Sequence, residues 1–140
     1  MQFKWREYPV AVRIIFGIYS MGFLGGTHTH IMGLLQNGFL AQKAPLLLNV
    51  YWDSLTLFDP LTVLLLWTRP KPGIGLACLI MLTDISINAY TYATGSFGPP
   101  IPGMIPSWLF TQSLFATFVF VTAPMVLGKL PKWEKELIKG

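Results

Sequence analysis

The composition of this 140-residue chain excludes an ordinary soluble domain. Apolar residues make up 53% of the chain and charged residues only 11%, whereas about a quarter of an average soluble domain is charged. The mean hydropathy of +0.54 points the same way. The single cysteine, Cys78, excludes an intramolecular disulfide and a cysteine-based metal cluster. We therefore predict an all-α membrane protein, because the backbone of a chain in lipid must satisfy its hydrogen bonds internally.

Polar residues, prolines and glycines divide the chain into four apolar runs. The runs cover residues 9–33, 45–67, 74–94 and 106–128, and a helix of about 20 residues is enough to cross a bilayer. The first run is too long for a cleavable signal peptide, and no small-residue cleavage site follows it. The sequence thus predicts one domain, residues 1–140, folded as a four-transmembrane-helix bundle.

The net charge of +4 arises from basic residues at the ends of the apolar runs. This placement indicates membrane topology and not nucleic-acid binding. Lys43 falls on one side of the predicted membrane. The other basic residues fall on the opposite side: Lys4, Arg6, Arg13, Arg69, Lys71, Lys129, Lys132, Lys135 and Lys139. The positive-inside rule then places both termini in the cytoplasm of a multi-pass protein of the inner or plasma membrane.

Polar side chains inside the apolar runs mark a candidate site. An Asp near mid-helix costs about 2.5 to 3.5 kcal/mol if it faces lipid, so it must be buried, neutralised or hydrated. Such residues indicate a functional site, or else interhelical hydrogen bonds that hold the helices together. The candidate ligand- or proton-binding residues are Asp53, Asp59, Asp84, Asn88, His30, His28, Asn49 and Gln112.

Helical spacing predicts polar faces on the second and third helices. Asn49, Asp53 and Asp59 lie within an arc of about 120°, and Asp84 and Asn88 are one turn apart. We expect Asp53 and Asp84 to share a proton, since their estimated depths differ by about 3 Å and two like charges in a low dielectric cannot both ionise cheaply. If Asp84 only packs helices, Asp84→Asn should be nearly neutral.

The first helix contributes a histidine to the same region. Gly22-x-x-x-Gly26 is a small-residue groove that lets another helix approach and directs His30 into the bundle. At 1.5 Å per residue from the non-cytoplasmic end of each span, the estimated depth of the polar residues increases from about 5 Å for His30 to about 21 Å for Asp59. This gradient predicts a cavity that opens to the non-cytoplasmic side.

His28 and His30 do not predict a metal site. Two residues apart on a continuous helix, they point about 200° apart and cannot bind one ion, whereas a break of the helix at Gly25-Gly26 would allow them to. The chain has no HExxH or paired ExxH pattern. We expect neither a metal nor another cofactor.

The connection over residues 95–106 carries four prolines, three glycines and no charge. It suits a lid or a docking surface next to the mouth of the cavity. A stiff connector that lies among the lipid headgroups fits the same composition equally well.

The segment Asp59-Pro60-Leu61 carries a weak family resemblance. Four helices, cytoplasmic termini, intramembrane acids and an Asp-Pro pair are similar to the EXPERA group of sterol isomerases and related binding proteins. In that family the Asp-Pro pair lies in a loop before a helix that carries a glutamate. Here the pair lies inside a predicted span and no span contains Glu, so the resemblance transfers no residue role.

Three functions fit this sequence. The leading one is binding or conversion of a small lipophilic or cationic molecule by acid–base chemistry in the cavity. The second is an oligomeric proton- or cation-coupled transporter or channel. The third is a non-catalytic accessory subunit of a larger membrane complex. The expected partners are the lipid bilayer, a lipophilic ligand, and further copies or subunits, whereas nucleic acid is not expected.

Overall fold

The computed structural model describes residues 6, 8–41, 44–96 and 98–130. These residues form four α-helices: α1 (Val10–Asn37), α2 (Leu46–Thr68), α3 (Pro70–Ala93) and α4 (Ser107–Lys129). The helices pack in ring order, so that α1 contacts α2 and α4, and α3 contacts α2 and α4. The all-helical prediction is confirmed for the described residues. Five of the lysines on which the predicted membrane orientation depends lie outside the described residues: Lys4, Lys43, Lys132, Lys135 and Lys139.

Three of the described helices, α1, α3 and α4, are long and apolar enough to cross a membrane. Helix α2 has 23 residues but falls short in apolar character, because Asn49, Asp53 and Asp59 interrupt its leucines. Large apolar side chains cover the outside of the bundle, and Leu47 and Leu57 are 78% and 74% exposed. Such a surface is typical of helices that face hydrocarbon.

Helix α1 extends beyond its apolar run to Asn37. The polar residues after position 33 are compatible with a helix, which therefore continues for one more turn. It ends at Gly38, which adopts a φ of 89° and donates its N–H to the Leu34 carbonyl at 2.9 Å. Glycine takes this left-handed conformation without a steric penalty.

Helix α3 begins at Pro70, four residues before the predicted span. The prolines at 70 and 72 lie in its first turn, where a missing N–H leaves no helical hydrogen bond unmade. Arg69 alone therefore connects α2 to α3. Gly73 packs directly on α2, since a Cβ added there would lie 2.5 Å from the Leu66 backbone nitrogen.

The apolar core fills the end of the bundle where α1 begins and α4 ends, which we call the terminal end. Its largest buried side chains on α1 are Phe16 and Tyr19. The Tyr19 hydroxyl lies 2.9 Å from the Val119 carbonyl and 2.8 Å from Thr122 Oγ1, which ties α1 to α4. The opposite end, which carries the α1–α2 and α3–α4 connections, is called the loop end.

Candidate functional site

Two adjoining cavities occupy the half of the bundle nearer the loop end. The outer cavity, of about 610 Å³, is lined by His28, Gln36, Trp52 and Asp53, among others. The inner cavity, of about 520 Å³, is lined by Asp59, Asp84, Gln112, Phe23, Met81 and Phe115, among others. Four residues line both cavities and so mark where they meet: Thr29, His30, Asn88 and Trp108.

Every candidate site residue except Asn49 lines one of these cavities. Asn49 is buried and donates its side-chain Nδ2–H to the Ala44 carbonyl at 2.9 Å. This bond holds the start of α2 against the preceding connection. Asn49 therefore has a structural contact outside the site for which the sequence suggested it.

Asp53 binds the α1–α2 connection from within the outer cavity. The Leu40 backbone N–H donates to Asp53 Oδ2 at 2.8 Å, and Leu40 has a φ of 56°, a left-handed conformation that is unusual for leucine. Asp84 lines the inner cavity instead, and the acid that shares this cavity with it is Asp59. The structure thus places Asp59, and not Asp53, in the cavity that Asp84 lines, and a proton shared between Asp53 and Asp84 stays a prediction.

Asp84 belongs to a closed ring of three side chains, which we call the carboxylate ring: Asp84, Asn88 and Gln112. Asn88 donates its Nδ2–H groups to Asp84 Oδ1 at 3.2 Å and to Gln112 Oε1 at 3.0 Å. Gln112 completes the ring by donating its Nε2–H to Asp84 Oδ2. Outside the ring, the Trp52 indole N–H donates to Asn88 Oδ1 at 3.1 Å.

Trp52 determines how the carboxylate ring is oriented. An indole N–H can only donate, so Asn88 must turn its oxygen toward Trp52 and its nitrogen toward Asp84 and Gln112. Gln112 must then accept with its oxygen and donate with its nitrogen. Both Asp84 oxygens consequently face N–H donors, and all three contacts are satisfied only if position 84 offers two acceptors.

Asp59 has a different environment in the same cavity. It is only 4% exposed, and its Oδ1 has no hydrogen-bond partner among the described residues. Its Oδ2 lies 3.9 Å from His30 Nε2 and packs on Gly26, where an added Cβ would lie 2.5 Å away. Because a buried acceptor without a donor is costly, this oxygen is available to a donor that enters the cavity.

His30 lies where the two cavities meet. It is the one titratable side chain among the described residues that lines both of them. His30 lines the outer cavity together with Asp53, and its Nε2 lies 3.9 Å from Asp59 Oδ2. This position allows a proton to pass between the outer cavity and the buried acid.

The ionisable side chains of the site are carboxyl and imidazole groups. The described residues that line the cavities include three aspartates but no Lys or Arg. The described basic residues belong to the terminal end: Arg6, Arg13, Arg69, Lys71 and Lys129. Carboxylates among apolar side chains attract a cation more strongly than they would in water, because the surrounding dielectric constant is lower.

Within the described residues, no group of three or more His, Cys, Asp or Glu side chains is arranged to hold a metal ion. Comparisons of the chain with protein-family models, with curated proteins and with solved structures found no match. The function must therefore be argued from the site itself.

Several lining residues escaped the sequence analysis although the sequence contains a signal for them. Trp108, Thr111 and Phe115 lie on one face of α4 together with the predicted residue Gln112, since the four positions are spaced i, i+3, i+4 and i+7. Trp52 could have been found by a different argument. An indole N–H within an apolar helix requires an acceptor, and Asn88 is such an acceptor on the neighbouring helix.

Proposed function

We propose that this protein is a four-helix membrane protein of the inner or plasma membrane that binds a small lipophilic amine in its inner cavity. Helix α2 serves as the fourth span, since Asn49 and Asp59 are buried and its outward face carries leucines such as Leu47 and Leu57. The concentration of described basic residues at the terminal end favours a cytoplasmic location for that end and hence for both termini.

The unpartnered Oδ1 of Asp59 is the observation that carries this proposal. A protonated amine would supply the missing N–H donor and would neutralise part of the negative charge shared with Asp84. The apolar part of the ligand would lie against Phe23, Met81 and Phe115. A neutral lipophilic molecule would fill the same space but would leave both carboxylates without a counter-charge.

His30 extends the proposal from binding to acid–base chemistry. Its Nε2 lies 3.9 Å from Asp59, so the two groups form the pair that would exchange a proton with a bound amine or convert a substrate. Transport through a single bundle is less well supported. Large buried side chains such as Phe16, Tyr19 and Leu66 fill the terminal end, and none of them lines either cavity.

The proposal is tested by ligand binding to the protein in lipid nanodiscs. We expect dodecylamine to bind more tightly than dodecanol after subtraction of partitioning into protein-free nanodiscs. Asp59→Asn should weaken dodecylamine binding by about tenfold or more, corresponding to about 1.4 kcal/mol, because it removes the charge while keeping the volume. The matched variant Asp53→Asn, on the same helix but in the outer cavity, should change the affinity less than about threefold.

Equal binding of the amine and the alcohol would contradict the proposal, as would an Asp59→Asn variant that binds dodecylamine normally. Proton flux through liposomes that contain the protein would favour the transporter instead. Co-purification with larger subunits would favour the accessory role, and native mass spectrometry would report bound ligand, stoichiometry and partners together.

A further inference from the structure

The contact between α1 and α4 is the loosest of the four in the bundle. It is closed toward the terminal end by the hydrogen bonds of Tyr19 and by aromatic packing. Phe115 forms edge contacts with Phe23 and Tyr19, at ring-centroid distances of 5.6 Å and 6.4 Å. Nearer the loop end, the lining of the inner cavity includes small residues from both helices. We call this part of the α1–α4 contact, between Gly26 and Thr29 on α1 and Ser107 and Thr111 on α4, the seam.

The inner cavity reaches the outside of the bundle along the seam. All four residues that define the seam line this cavity, and Thr29, Ser107 and Thr111 are exposed. Gly26 contributes no side chain, and Asp59 Oδ2 packs where its Cβ would lie. These exposed lining residues place an opening of the inner cavity between α1 and α4.

The surface of α4 beside the seam is apolar. Next to Ser107 and Thr111, Phe110 and Leu114 point outward and are each about half exposed. In the membrane arrangement proposed above, these side chains face hydrocarbon and not water. The seam then opens sideways into the bilayer, whereas the outer cavity lies toward the loop end.

We infer that the ligand is a single-chain amphiphilic amine that enters the inner cavity sideways from the bilayer, through the seam. This inference rests on the proposed amine-binding function. The amine lies at Asp59, whose unpartnered Oδ1 is buried in the cavity. The hydrocarbon chain passes between the small residues of the seam and remains in lipid, so a cavity of about 520 Å³ needs to hold only the polar end and the first part of the chain.

Protonation of the amine is compatible with this route. The amine crosses hydrocarbon as the neutral free base, and its lone pair then accepts a proton from the Asp59 carboxylic acid or from the imidazolium form of His30. One N–H bond forms on the ligand as the Asp59 O–H bond or an imidazolium N–H bond breaks, which leaves a carboxylate or a neutral imidazole. His30 is placed to recover a proton from water in the outer cavity, because it lines both cavities.

The seam is tested by narrowing it at Thr111. Thr111→Phe adds bulk at the exposed edge of the inner cavity, and Thr117→Phe is a matched control. Both threonines are exposed on α4 and donate to the carbonyl four residues earlier, but Thr117 does not line either cavity. Dodecylamine binding to the protein in nanodiscs is followed by stopped-flow tryptophan fluorescence, with Trp108→Phe identifying the signal of Trp108.

We expect Thr111→Phe to slow association and dissociation of dodecylamine together by about tenfold, with Kd changed less than about threefold, because a gate alters both rates but not the equilibrium. Thr117→Phe should match the wild type. Unchanged rates in Thr111→Phe would overturn the lateral route while leaving amine binding intact, as would a weaker Kd without slower dissociation. Failure of the wild type to bind dodecylamine would overturn the proposed function itself.

Discussion

Asp84 accepts hydrogen bonds from two amide side chains at once, and these amides also bond to each other. An asparagine at this position offers one acceptor and one donor. The ring would then consist of the amides of residues 84, 88 and 112. Whichever way these amides are rotated, one of the three contacts brings two N–H groups or two oxygens face to face. The ring therefore distinguishes a carboxylate from its isosteric amide.

This argument predicts that Asp84→Asn destabilises the protein by about 1 to 3 kcal/mol, the cost of leaving a buried polar group unpaired. The free energy of unfolding is measured by SDS titration in mixed micelles. Asp53→Asn is the control, since asparagine keeps an oxygen that accepts the Leu40 N–H. Equal stability of the two variants would show that the ring does not select the carboxylate.

The sequence analysis identified most of the polar lining but not its pairing. Polar side chains in apolar helices are conspicuous, so the three aspartates, both histidines, Asn88 and Gln112 could be found by composition alone. The sequence analysis estimated the depth of each residue in the membrane from its position along the helix. Such an estimate does not show how each helix is rotated about its axis, and hence which side chains face each other. The estimate therefore paired Asp84 with Asp53, although Asp59 shares its cavity. The sequence analysis also suggested that Asp84→Asn would be nearly neutral if Asp84 only packs helices.

Helices α2 and α3 form the tightest hairpin among the described helices. Arg69 is their only connecting residue, and Gly73 lies against the Leu66 backbone. A backbone atom cannot move aside as a flexible side chain can. A methyl group at position 73 must therefore push the two helices apart.

We expect Gly73→Ala to destabilise the protein by about 1 to 3 kcal/mol through overpacking. Gly75→Ala is a matched control two residues away, since a Cβ there would meet nothing within 4 Å. It should be neutral or stabilise α3 by up to about 1 kcal/mol, because alanine favours a helix more than glycine does. Thermal unfolding in detergent measures both variants, and a stable Gly73→Ala would disprove the close approach.

The apolar runs of the sequence predicted where helices occur but not the residue at which each helix begins. Proline and glycine in residues 69–73 resemble a turn, yet proline is also favoured in the first turn of a helix. The sequence of residues 69–73 does not show whether these prolines form a turn or begin a helix. In the structure Gly73 packs on α2, and this contact, which depends on the neighbouring helix, favours the helix.

The orientation of the whole molecule is tested by cysteine labelling in intact cells, in a Cys78→Ala background. Ser96→Cys, in the α3–α4 connection, should react with a membrane-impermeant maleimide from outside. Thr68→Cys, exposed at the terminal end, should react only after permeabilisation. The reverse pattern would invert the bundle, and with it the side toward which the outer cavity opens.

The limited apolar character of α2 has a consequence for how the chain is made. A helix that carries Asn49, Asp53 and Asp59 gains little by partitioning alone from the translocon into lipid. Arg69 is the only residue that connects α2 to α3, so α3 lies next to α2 from the moment it is synthesised. Helix α3 is apolar enough to cross a membrane. We therefore expect α2 and α3 to enter the membrane together as one helical hairpin. Helix α2 would then leave the translocon only after α3 has been synthesised.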